Sequence, residues 1–590
     1  AFFDAKFKHQ LVASMENIDE QTNGLLINSE NFQALQLLQE KYNKRVKCIY
    51  IDPPYNTGND GFAYKDRYQH SSWLSMVSDR IALGRCFVND TSNFIVSIDE
   101  AEQPYLRDVL DNVFGKENYI ADMIWAAGRK NDSRFISISH EYMVVYAANR
   151  QYLSDNKIEW KQKKKGLEEI YNAYEKIKKQ YGSDYAAMTE AMKEWYKSLP
   201  DSHPSKAHKH YNRIDDKGIY FSDNISWPGG GGPRYDVLHP ITGKPVAVPS
   251  RGWLFPTKER MQEILNMGLV AFGEDEKSVP TLKSYLKDRE YQAPYSVFYQ
   301  DGRAATKRLR DVMGNDNFGF PKDETVIAET ISLNSGYKDF FMDYFAGSGT
   351  TAHAVLNLNR EDNGLRKYIL CEMADYFNIV TKPRVKKVIY SFDWKDGKPV
   401  SRQGISQCFK YIRLEQYEDT LNNLEIKAKE LDFQPKEFKE SYMLSYLLDT
   451  ETRDSLLNLK WFENPFEMTL KTTKDNELVE TKVDMVETFN YLIGLNVETE
   501  DWYQDDNICV VQGRTHREGL KTLVIWRNCK MVDNEALNAF FDKMDFRTRD
   551  TEFDLIYVNG DNTLPNLRRD EEHWKVVLTE EEFQKRMFEE

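Results

Sequence analysis

The stretch Ile49-Tyr50-Ile51-Asp52-Pro53-Pro54-Tyr55-Asn56 begins as a strand and stops at two prolines. Its first three residues are strand formers, whereas proline has no N–H group and a fixed φ, so it cannot continue a ladder. We therefore expect Asp52 at the carboxyl end of a strand, the edge at which open α/β sheets bind their ligands. A carboxylate, stiff backbone carbonyls and the flat ring of Tyr55 suit an aromatic ring that carries an amino group. The alternative is a Pro-Pro turn with a surface tyrosine.

A second stretch, Phe340 to Val355, predicts a strand, a glycine turn and a helix. Gly347 and Gly349 allow a tight turn and a close approach of the backbone to a ligand. The turn is neither a G-x-G-x-x-G fingerprint nor a phosphate-binding loop, which needs Gly-Lys-Ser/Thr. The next predicted strand, Lys367 to Glu372, ends in an acid. An acid about 20 residues beyond the glycines is where Rossmann-like sites hold a ribose hydroxyl.

Together the two stretches resemble the amino-methyltransferases of DNA, which use S-adenosylmethionine. The catalytic motif of that family, Asp/Asn/Ser-Pro-Pro-Tyr/Phe/Trp, is matched at residues 52–55, and its cofactor motif, Phe-x-Gly-x-Gly, at residues 345–349. The catalytic motif comes first and Asp343 follows Asp52 by 343 − 52 = 291 residues. This permuted order resembles the β class of these enzymes and, in particular, the modification subunit of type III restriction–modification systems. The resemblance covers roughly residues 20–430.

The resemblance implies an α/β fold: a Rossmann-like methyltransferase domain with circularly permuted motifs, an inserted target-recognition domain and an α+β C-terminal domain. Alternating predicted strands and helices before residue 150 favour a mostly parallel sheet with covered faces. The expected boundaries are 1–150 for the catalytic half, 151–295 for target recognition, 296–395 for the cofactor-binding half, and 396–590 for dimerisation or partner docking.

The site residues follow from the match to the motifs. The catalytic set is Asp52, Pro53, Pro54 and Tyr55. The cofactor-binding set is Asp343, Phe345, Ala346, Gly347, Gly349, Thr350, Glu372, Lys322 and Glu30. Lys322 lies in Asn317–Glu324, which resembles the motif before the glycine loop, and is expected near the methionine end of the cofactor; a lysine at a helix start is the alternative. Glu30 stands where the family has an acid that approaches the adenine, or else it caps a helix.

The segment 151–295 differs in composition from both flanks, with Lys- and Glu-rich helices followed by Gly-Pro loops. These loops combine phosphate-seeking and stacking side chains, so the candidate DNA contacts are Arg234, Tyr235, Lys244, Arg251 and Trp253. Basic stretches at 161–165 and 205–210 are further candidates, although each taken alone is also typical of a solvated face.

The implied reaction is methylation of the N6 amino group of adenine in double-stranded DNA, with the base flipped out of the helix. The aspartate at position 52 favours adenine over N4-cytosine by the same resemblance. The implied partners are a second copy of the chain and a helicase–nuclease restriction subunit. The alternatives are a stand-alone or other phage-defence methyltransferase, an RNA or protein-glutamine substrate, and a specificity or scaffold subunit with a degenerate site. The intact motifs argue against the last.

Composition limits the remaining choices. The chain has 590 residues and a net charge of −15, so phosphate binding requires a local basic surface. Its six cysteines are scattered without a C-x-x-C pair, so we expect neither a metal site nor a disulfide framework. This pattern favours a location in the reducing cytoplasm. No apolar run approaches the ~20 residues of a membrane span. The first residue, Ala1, is not Met, which indicates that the natural chain extends before it.

Overall fold

The computed structural model describes residues 4–57, 68–128, 134–201, 203–423, 458–474 and 477–588. The chain divides into two compact units, Ala1–Glu159 with Tyr295–Glu590, and Trp160–Pro294. In the ranges that the structure describes, no helix is long and apolar enough to cross a membrane.

The strands, in chain order, are β1 (Thr22–Asn28), β2 (Val46–Ile51), β3 (Val88–Ile98), β4 (Tyr119–Ala126), β5 (His140–Ala147), β6 (Gln162–Lys163), β7 (Arg213–Asp215), β8 (Gly218–Asp223), β9 (Val270–Ala271), β10 (Thr281–Tyr285), β11 (Tyr291–Gln292), β12 (Val297–Tyr299), β13 (Phe340–Asp343), β14 (Lys367–Glu372), β15 (Trp394–Lys395), β16 (Lys398–Pro399), β17 (Cys408–Arg413), β18 (Thr469–Lys474), β19 (Glu477–Lys482), β20 (Leu495–Tyr503), β21 (Ile508–Thr515), β22 (Lys521–Arg527), β23 (Leu555–Val558) and β24 (Val576–Leu578).

The helices are α1 (Ala5–Ala13), α2 (Ile18–Gln21), α3 (Asn31–Tyr42), α4 (His70–Arg85), α5 (Gln103–Phe114), α6 (Arg150–Asp155), α7 (Leu167–Tyr181), α8 (Tyr185–Ser198), α9 (Lys258–Asn266), α10 (Arg303–Met313), α11 (Glu324–Ser332), α12 (Thr350–Asp362), α13 (Lys382–Tyr390), α14 (Tyr417–Asn423), α15 (Met485–Leu492), α16 (Asn534–Lys543) and α17 (Thr579–Phe588).

The first unit contains a nine-stranded sheet in the order β12-β4-β5-β3-β2-β13-β14-β1-β17. Every pairing is parallel except those of β5 with β3 and β4. Side chains of alternate strand residues point to opposite faces. Ile49 and Ile51 of β2 therefore pack with α3, α4 and α5 in one apolar core, while Tyr50 is buried on the other face with its Oη 2.8 Å from Ser97 Oγ. This is the covered, mostly parallel sheet that the sequence predicts.

A second sheet of the same unit has five strands in the order β20-β21-β22-β23-β24, with an apolar core on each face.

The expected boundary at 395/396, between the cofactor-binding half and the C-terminal domain, is wrong. Residues 408–413 form β17, which pairs with β1 and completes the nine-stranded sheet. The boundary failed because an edge strand that pairs with the first strand of the chain carries no local sign of that pairing.

A buried cluster of charges connects the two sheets. Lys41 Nζ of α3 lies 2.7 Å from Asp19 Oδ2, and Lys410 Nζ of β17 lies 3.0 Å from Asp19 Oδ1 and 2.7 Å from Glu487 Oε1. Burial opposes ionisation of Asp19, but Lys41 and Lys410 outweigh it and hold its pKa well below the usual range. Two acids and two lysines thus compensate one another at the contact between the sheets.

The second unit, Trp160–Pro294, has its own cores. Helix α8 packs against β7 and against α7. Strands β7, β8, β10 and β9 form a four-stranded antiparallel sheet. A short pairing of β6 with β11 brings the two ends of the unit together.

Candidate active site

The two motifs meet at the carboxyl edge of the nine-stranded sheet. β13 lies beside β2 and parallel to it, with Met342 opposite Ile49. The strand ends that carry Asp52 and Asp343 are therefore neighbours, although 291 residues separate them in the sequence. β14 follows on the other side of β13 and ends at Glu372. The parallel arrangement alone accounts for this convergence, because parallel strands end at the same edge.

The loop after Asp52 is fixed by a side chain of α4 and by Glu102, the residue before α5. Trp73 Nε1 of α4 donates to the carbonyl oxygen of Pro54 at 2.7 Å. Asn56 adopts a left-handed conformation with φ of 59° and donates from Nδ2 to Glu102 Oε1 at 2.6 Å. The two prolines and these contacts hold Asp52 and Tyr55 in place at the end of β2.

Four polar side chains form one cluster at this point, which we call the Asp52 cluster: Asp52, Tyr55, Glu141 and Lys322. Tyr55 Oη donates to Glu141 Oε2 at 2.9 Å. Lys322 Nζ lies 2.6 Å from Glu141 Oε2, 2.5 Å from Tyr55 Oη and 3.4 Å from Asp52 Oδ1. Its ammonium group also lies 4.5 Å from the centre of the Tyr55 ring.

The charges of the cluster depend on one another. Burial raises the pKa of the Asp52 carboxyl; Lys322 opposes this effect and Glu141 adds to it. Burial also works against the charged form of Lys322, but Asp52 and Glu141 outweigh it and raise the pKa of the ammonium group. Lys322 therefore stays charged between two carboxylates. Its ammonium group contacts the catalytic motif, and the predicted contact with a cofactor remains a prediction.

The glycine loop turns as the motif requires. Gly347 and Gly349 have φ of 51° and 80°, and α12 begins at Thr350 directly after them. Asp343 supports the turn, because its carboxylate accepts from the N–H group of Phe345 at 3.0 Å and from Thr351 Oγ1 at 2.5 Å. Burial raises the pKa of Asp343 to about 7.

Space for a ligand remains beside this loop. A Cβ placed on Gly347 would meet only Phe318 Cζ at 3.6 Å and the carbonyl oxygen of Phe345 at 4.0 Å. Glu372 borders the loop, and its Oε2 accepts from the N–H group of Gly347 at 2.9 Å while Oε1 accepts from Ala374 at 3.0 Å. Burial raises the pKa of the Glu372 carboxyl. An aromatic ring, a glycine backbone and an acid thus frame one side of the site.

Glu30 acts as a helix cap in the structure. Its Oε2 accepts from the N–H groups of Phe32 and Gln33 at 2.7 and 3.3 Å, and its Oε1 pairs with Arg80. Of the two roles predicted for Glu30, an adenine contact or a helix cap, the structure shows the cap at the start of α3. A cofactor contact at Glu30 is untested.

A buried arginine beneath the glycine loop was not singled out from the sequence. Arg384 of α13 is 1% exposed. Its Nη1 donates to Ser348 Oγ at 2.7 Å and to Thr350 Oγ1 at 2.9 Å, and its Nη2 lies 3.6 Å from Glu324 Oε2. Burial lowers the pKa of Arg384 to about 10, so it remains charged at neutral pH. Arg384 therefore ties the glycine loop to the start of α11, two residues after Lys322.

These two motifs at one sheet edge match a known family. A family model described as DNA methylase matches residues 46–382, which is more than half of the chain. This chain belongs to the DNA methylase family. The match includes both the Asp52 cluster and the glycine loop.

Named relatives of this chain are similar over part of their length. The Mod subunit of the type III restriction-modification enzyme EcoP15I from Escherichia coli is 32% identical over 386 residues, 59% of this chain and 58% of that protein. The StyLTI Mod subunit from Salmonella typhimurium is 28% identical over 397 residues, 62% of this chain and 54% of that protein. Among solved structures, PvuII DNA methyltransferase (cytosine-N4-specific) is similar with a TM-score of 0.30 and 10% sequence identity. The match covers 62% of this chain and 86% of the PvuII chain. The chain thus spans less than two thirds of the length of these two relatives.

The structure corrects one predicted DNA contact of this chain. Trp253 is 0% exposed, packs in the core of the second unit and donates from Nε1 to the carbonyl oxygen of Tyr235 at 2.8 Å. A ring without exposed area cannot stack on a base, so the prediction for Trp253 is wrong. Tyr235 is half-buried, with its Oη donating to Phe255. The remaining candidates, Arg234, Lys244 and Arg251, are exposed.

The two basic stretches come together in the second unit. The backbone N–H group of Lys164 donates to the carbonyl oxygen of Glu290 at 2.9 Å, and His208 Nε2 lies 3.1 Å from the carbonyl oxygen of Lys165. Burial lowers the pKa of Lys164, and neighbouring Arg289 lowers it further. We call this region the basic surface: Lys163, Lys164, Lys165, Lys209 and Arg289. Residues 160–294 contain 22 Lys and Arg against 18 Asp and Glu, a net charge of +4, whereas the rest of the chain carries −19.

Among the residues that the structure describes, no group of three or more His, Cys, Asp or Glu side chains could hold a metal ion.

Proposed function

We propose that this DNA methylase transfers a methyl group from S-adenosylmethionine to N6 of adenine in DNA, and that it is the modification subunit of a type III restriction–modification system. The observation that carries the proposal is the contact between the end of β2, with Asp52, and the end of β13, with the glycine loop. The carboxylate of Asp52, as the proposed acceptor of the amino group, and the glycine loop, as the proposed cofactor site, are thus at neighbouring strand ends.

S-adenosylmethionine supplies a methyl group on a positively charged sulfur, which leaves as a neutral thioether. Asp52 and the carbonyl oxygen of Pro53 accept hydrogen bonds from the target amino group and so direct its lone pair toward the methyl carbon. The proton released from that nitrogen passes to Asp52 or to water. Since an aromatic amine is weakly basic, orientation contributes more than basicity. The base must leave the duplex to reach this edge, and Tyr55 offers it a stacking surface.

The type III assignment is supported by the two Mod subunits at 32% and 28% identity. We also propose that the chain forms a homodimer and that this dimer binds a restriction subunit. The proposed location is the cytoplasm. The five-stranded C-terminal sheet carries no catalytic motif among the described residues and is the part that we assign to dimerisation or docking. Sedimentation of the purified chain, alone and with a restriction subunit, tests this assignment.

A direct test uses the full chain, tritiated S-adenosylmethionine and DNA containing many sequence contexts. Recovered nucleosides are separated by chromatography and the methylated sites located by single-molecule sequencing. We expect N6-methyladenine at one sequence motif. Label in N4-methylcytosine would overturn the adenine assignment, and no label in DNA despite cofactor binding would favour a scaffold subunit.

The first prediction concerns the cofactor. Glu372→Ala should weaken S-adenosylmethionine binding by about 1–3 kcal/mol, since it removes a charged hydrogen-bond acceptor and frees the N–H group of Gly347. Glu372→Gln is the matched control, because one oxygen is kept and the shape is unchanged; its loss should be smaller. Calorimetry measures both. Equal affinity in the alanine variant and the wild type would show that Glu372 does not contact the cofactor.

We further propose that the unit 160–294 binds and reads DNA. Its net charge of +4 in a chain of −15 is the supporting observation, because phosphate contacts need clustered Lys and Arg. Loops on a rigid scaffold are the usual place for recognition.

The second prediction concerns the basic surface. Replacing Lys163, Lys165 and Arg289 by serine should lower DNA affinity for all sequences and reduce the slope of log affinity against log salt by about 0.9 for each lost phosphate contact. The control replaces three exposed lysines of the same unit, Lys176, Lys179 and Lys258, with the same change in net charge. Fluorescence anisotropy at several salt concentrations measures the slopes. Equal slopes in the two triple variants would contradict a specific role for the basic surface.

A further inference from the structure

The Asp52 cluster contains two residues that lie outside the catalytic motif. Glu141 lies on β5, the strand that runs antiparallel to its neighbours, and Lys322 lies just before α11. Their side chains are 27% and 14% exposed. Both contact the catalytic motif, through Tyr55 Oη in each case and through Asp52 Oδ1 in the case of Lys322.

The Lys322 ammonium is placed where it compensates two carboxylates at once. It lies 2.6 Å from Glu141 Oε2 and 3.4 Å from Asp52 Oδ1. Glu141 in turn holds both Lys322 and Tyr55, because the oxygen that contacts Lys322 also accepts a hydrogen bond from Tyr55 Oη at 2.9 Å. Removing any one of these groups therefore changes the environment of Asp52 or the orientation of the Tyr55 ring.

We propose that Lys322 and Glu141 are positioning residues for methyl transfer: Lys322 keeps Asp52 in its ionised, accepting form, and Glu141 holds Lys322 and Tyr55 in register with Asp52. This inference rests on the proposed methyl transfer and assigns Lys322 a role other than the cofactor contact predicted from the sequence.

The charges around Asp52 decide whether each variant raises or lowers the pKa of its carboxyl group. The groups that face it are Lys322, Glu141, Tyr55, Tyr50 and Asp343. Lys322 is the only one of these five that lowers the pKa of Asp52 by its charge, whereas Glu141 raises it. Without Lys322 two carboxylates face each other with no cation between them, and protonation of one is favoured. Without the Glu141 charge, Lys322 compensates Asp52 alone.

The third prediction is a pair of opposite shifts in the pH dependence of kcat/KM. Lys322→Met should move the acidic limb to higher pH by about 1–3 units, the effect of losing an opposite charge at this range. Glu141→Gln should move it to lower pH. Both variants should lower kcat more than they raise KM for DNA, and Lys322→Arg should restore part of the wild-type profile. Exposed Lys338→Met is the control for loss of a lysine and should leave the profile unchanged.

The wild-type enzyme separates the two proposals. If the wild type methylates DNA but the two variants shift the acidic limb in the same direction, or not at all, the roles of Lys322 and Glu141 are overturned while the function stands. Calorimetry with S-adenosylmethionine adds a readout that does not require turnover. A loss of affinity in Lys322→Met with an unshifted limb would assign Lys322 to the cofactor instead. If the wild type transfers no methyl group, the proposed function itself fails.

Discussion

Asp52→Ala is expected to lower the rate of methyl transfer by on the order of 10²–10⁴-fold, because it removes the acceptor that orients the target amino group. The fold should be maintained. Without Asp52, Lys322 still pairs with Glu141 at 2.6 Å, so no unpaired charge is left in the cluster. Single-turnover assays with labelled cofactor measure the rate, and calorimetry measures cofactor affinity, which should remain close to that of the wild type.

Asp52→Asn is the matched control for this prediction, since it keeps one acceptor oxygen and the size of the side chain. We expect it to retain more activity than the alanine variant. Tyr55→Phe separates the ring from the hydroxyl group, because it keeps the stacking surface and loses the hydroxyl contacts with Glu141, Lys322 and Asp52. Near-full activity of Asp52→Ala would exclude the assignment of the catalytic motif.

The other large effect is expected on stability. Arg384→Met should lower the free energy of unfolding by about 1–3 kcal/mol, the cost of removing the donor from buried hydrogen-bonding groups. The groups that lose a contact are the hydroxyl groups of Ser348 and Thr350, His353 Nδ1, and the Glu324 carboxylate, which keeps its ion pair with Arg308. Cofactor affinity should fall as well, because these hydroxyls belong to the glycine loop and the first turn of α12. Urea unfolding and calorimetry measure the two effects.

A double-mutant cycle tests the cause of that loss. Arg384→Met combined with Glu324→Gln should cost less than the sum of the single variants, because both changes remove the same contact between Arg384 and Glu324. Arg308 also contacts Glu324, so Glu324→Gln alone will be destabilising. Arg303→Met, a change at an exposed arginine, should leave the free energy of unfolding unchanged. Strict additivity of Arg384→Met and Glu324→Gln would mean that the two side chains do not interact.

Much of the local structure around the site could be predicted from the sequence. The strand that ends at Asp52, the glycine turn before Thr350 and the strand Lys367–Glu372 are where the sequence predicts them. The reason is local chemistry: proline ends a ladder, glycine allows positive φ, and β-branched and aromatic residues favour strands. The long amphipathic segments were equally clear, as in α7 and α8.

Two kinds of expectation failed or were incomplete. The domain boundary at 395/396 cut off β17, and Trp253 was placed on a DNA-binding surface although it is fully buried. In both cases the outcome depends on residues that are distant in the sequence. The pairing of β17 with β1 and the burial of an aromatic side chain among loops leave no pattern in the residues next to them.

The sequence by itself determined the chemistry at the end of each motif: a carboxylate before two prolines, a glycine turn, and an acid at the end of the next strand. The tertiary structure decided which of these groups meet. It brought strands β2 and β13 side by side, placed Glu141 and Lys322 against Asp52 and Tyr55, and buried Arg384 beneath the loop. The physical reason is that turn and strand preferences act between neighbours in the chain. Burial and charge compensation are set by partners that only the folded sheet brings together.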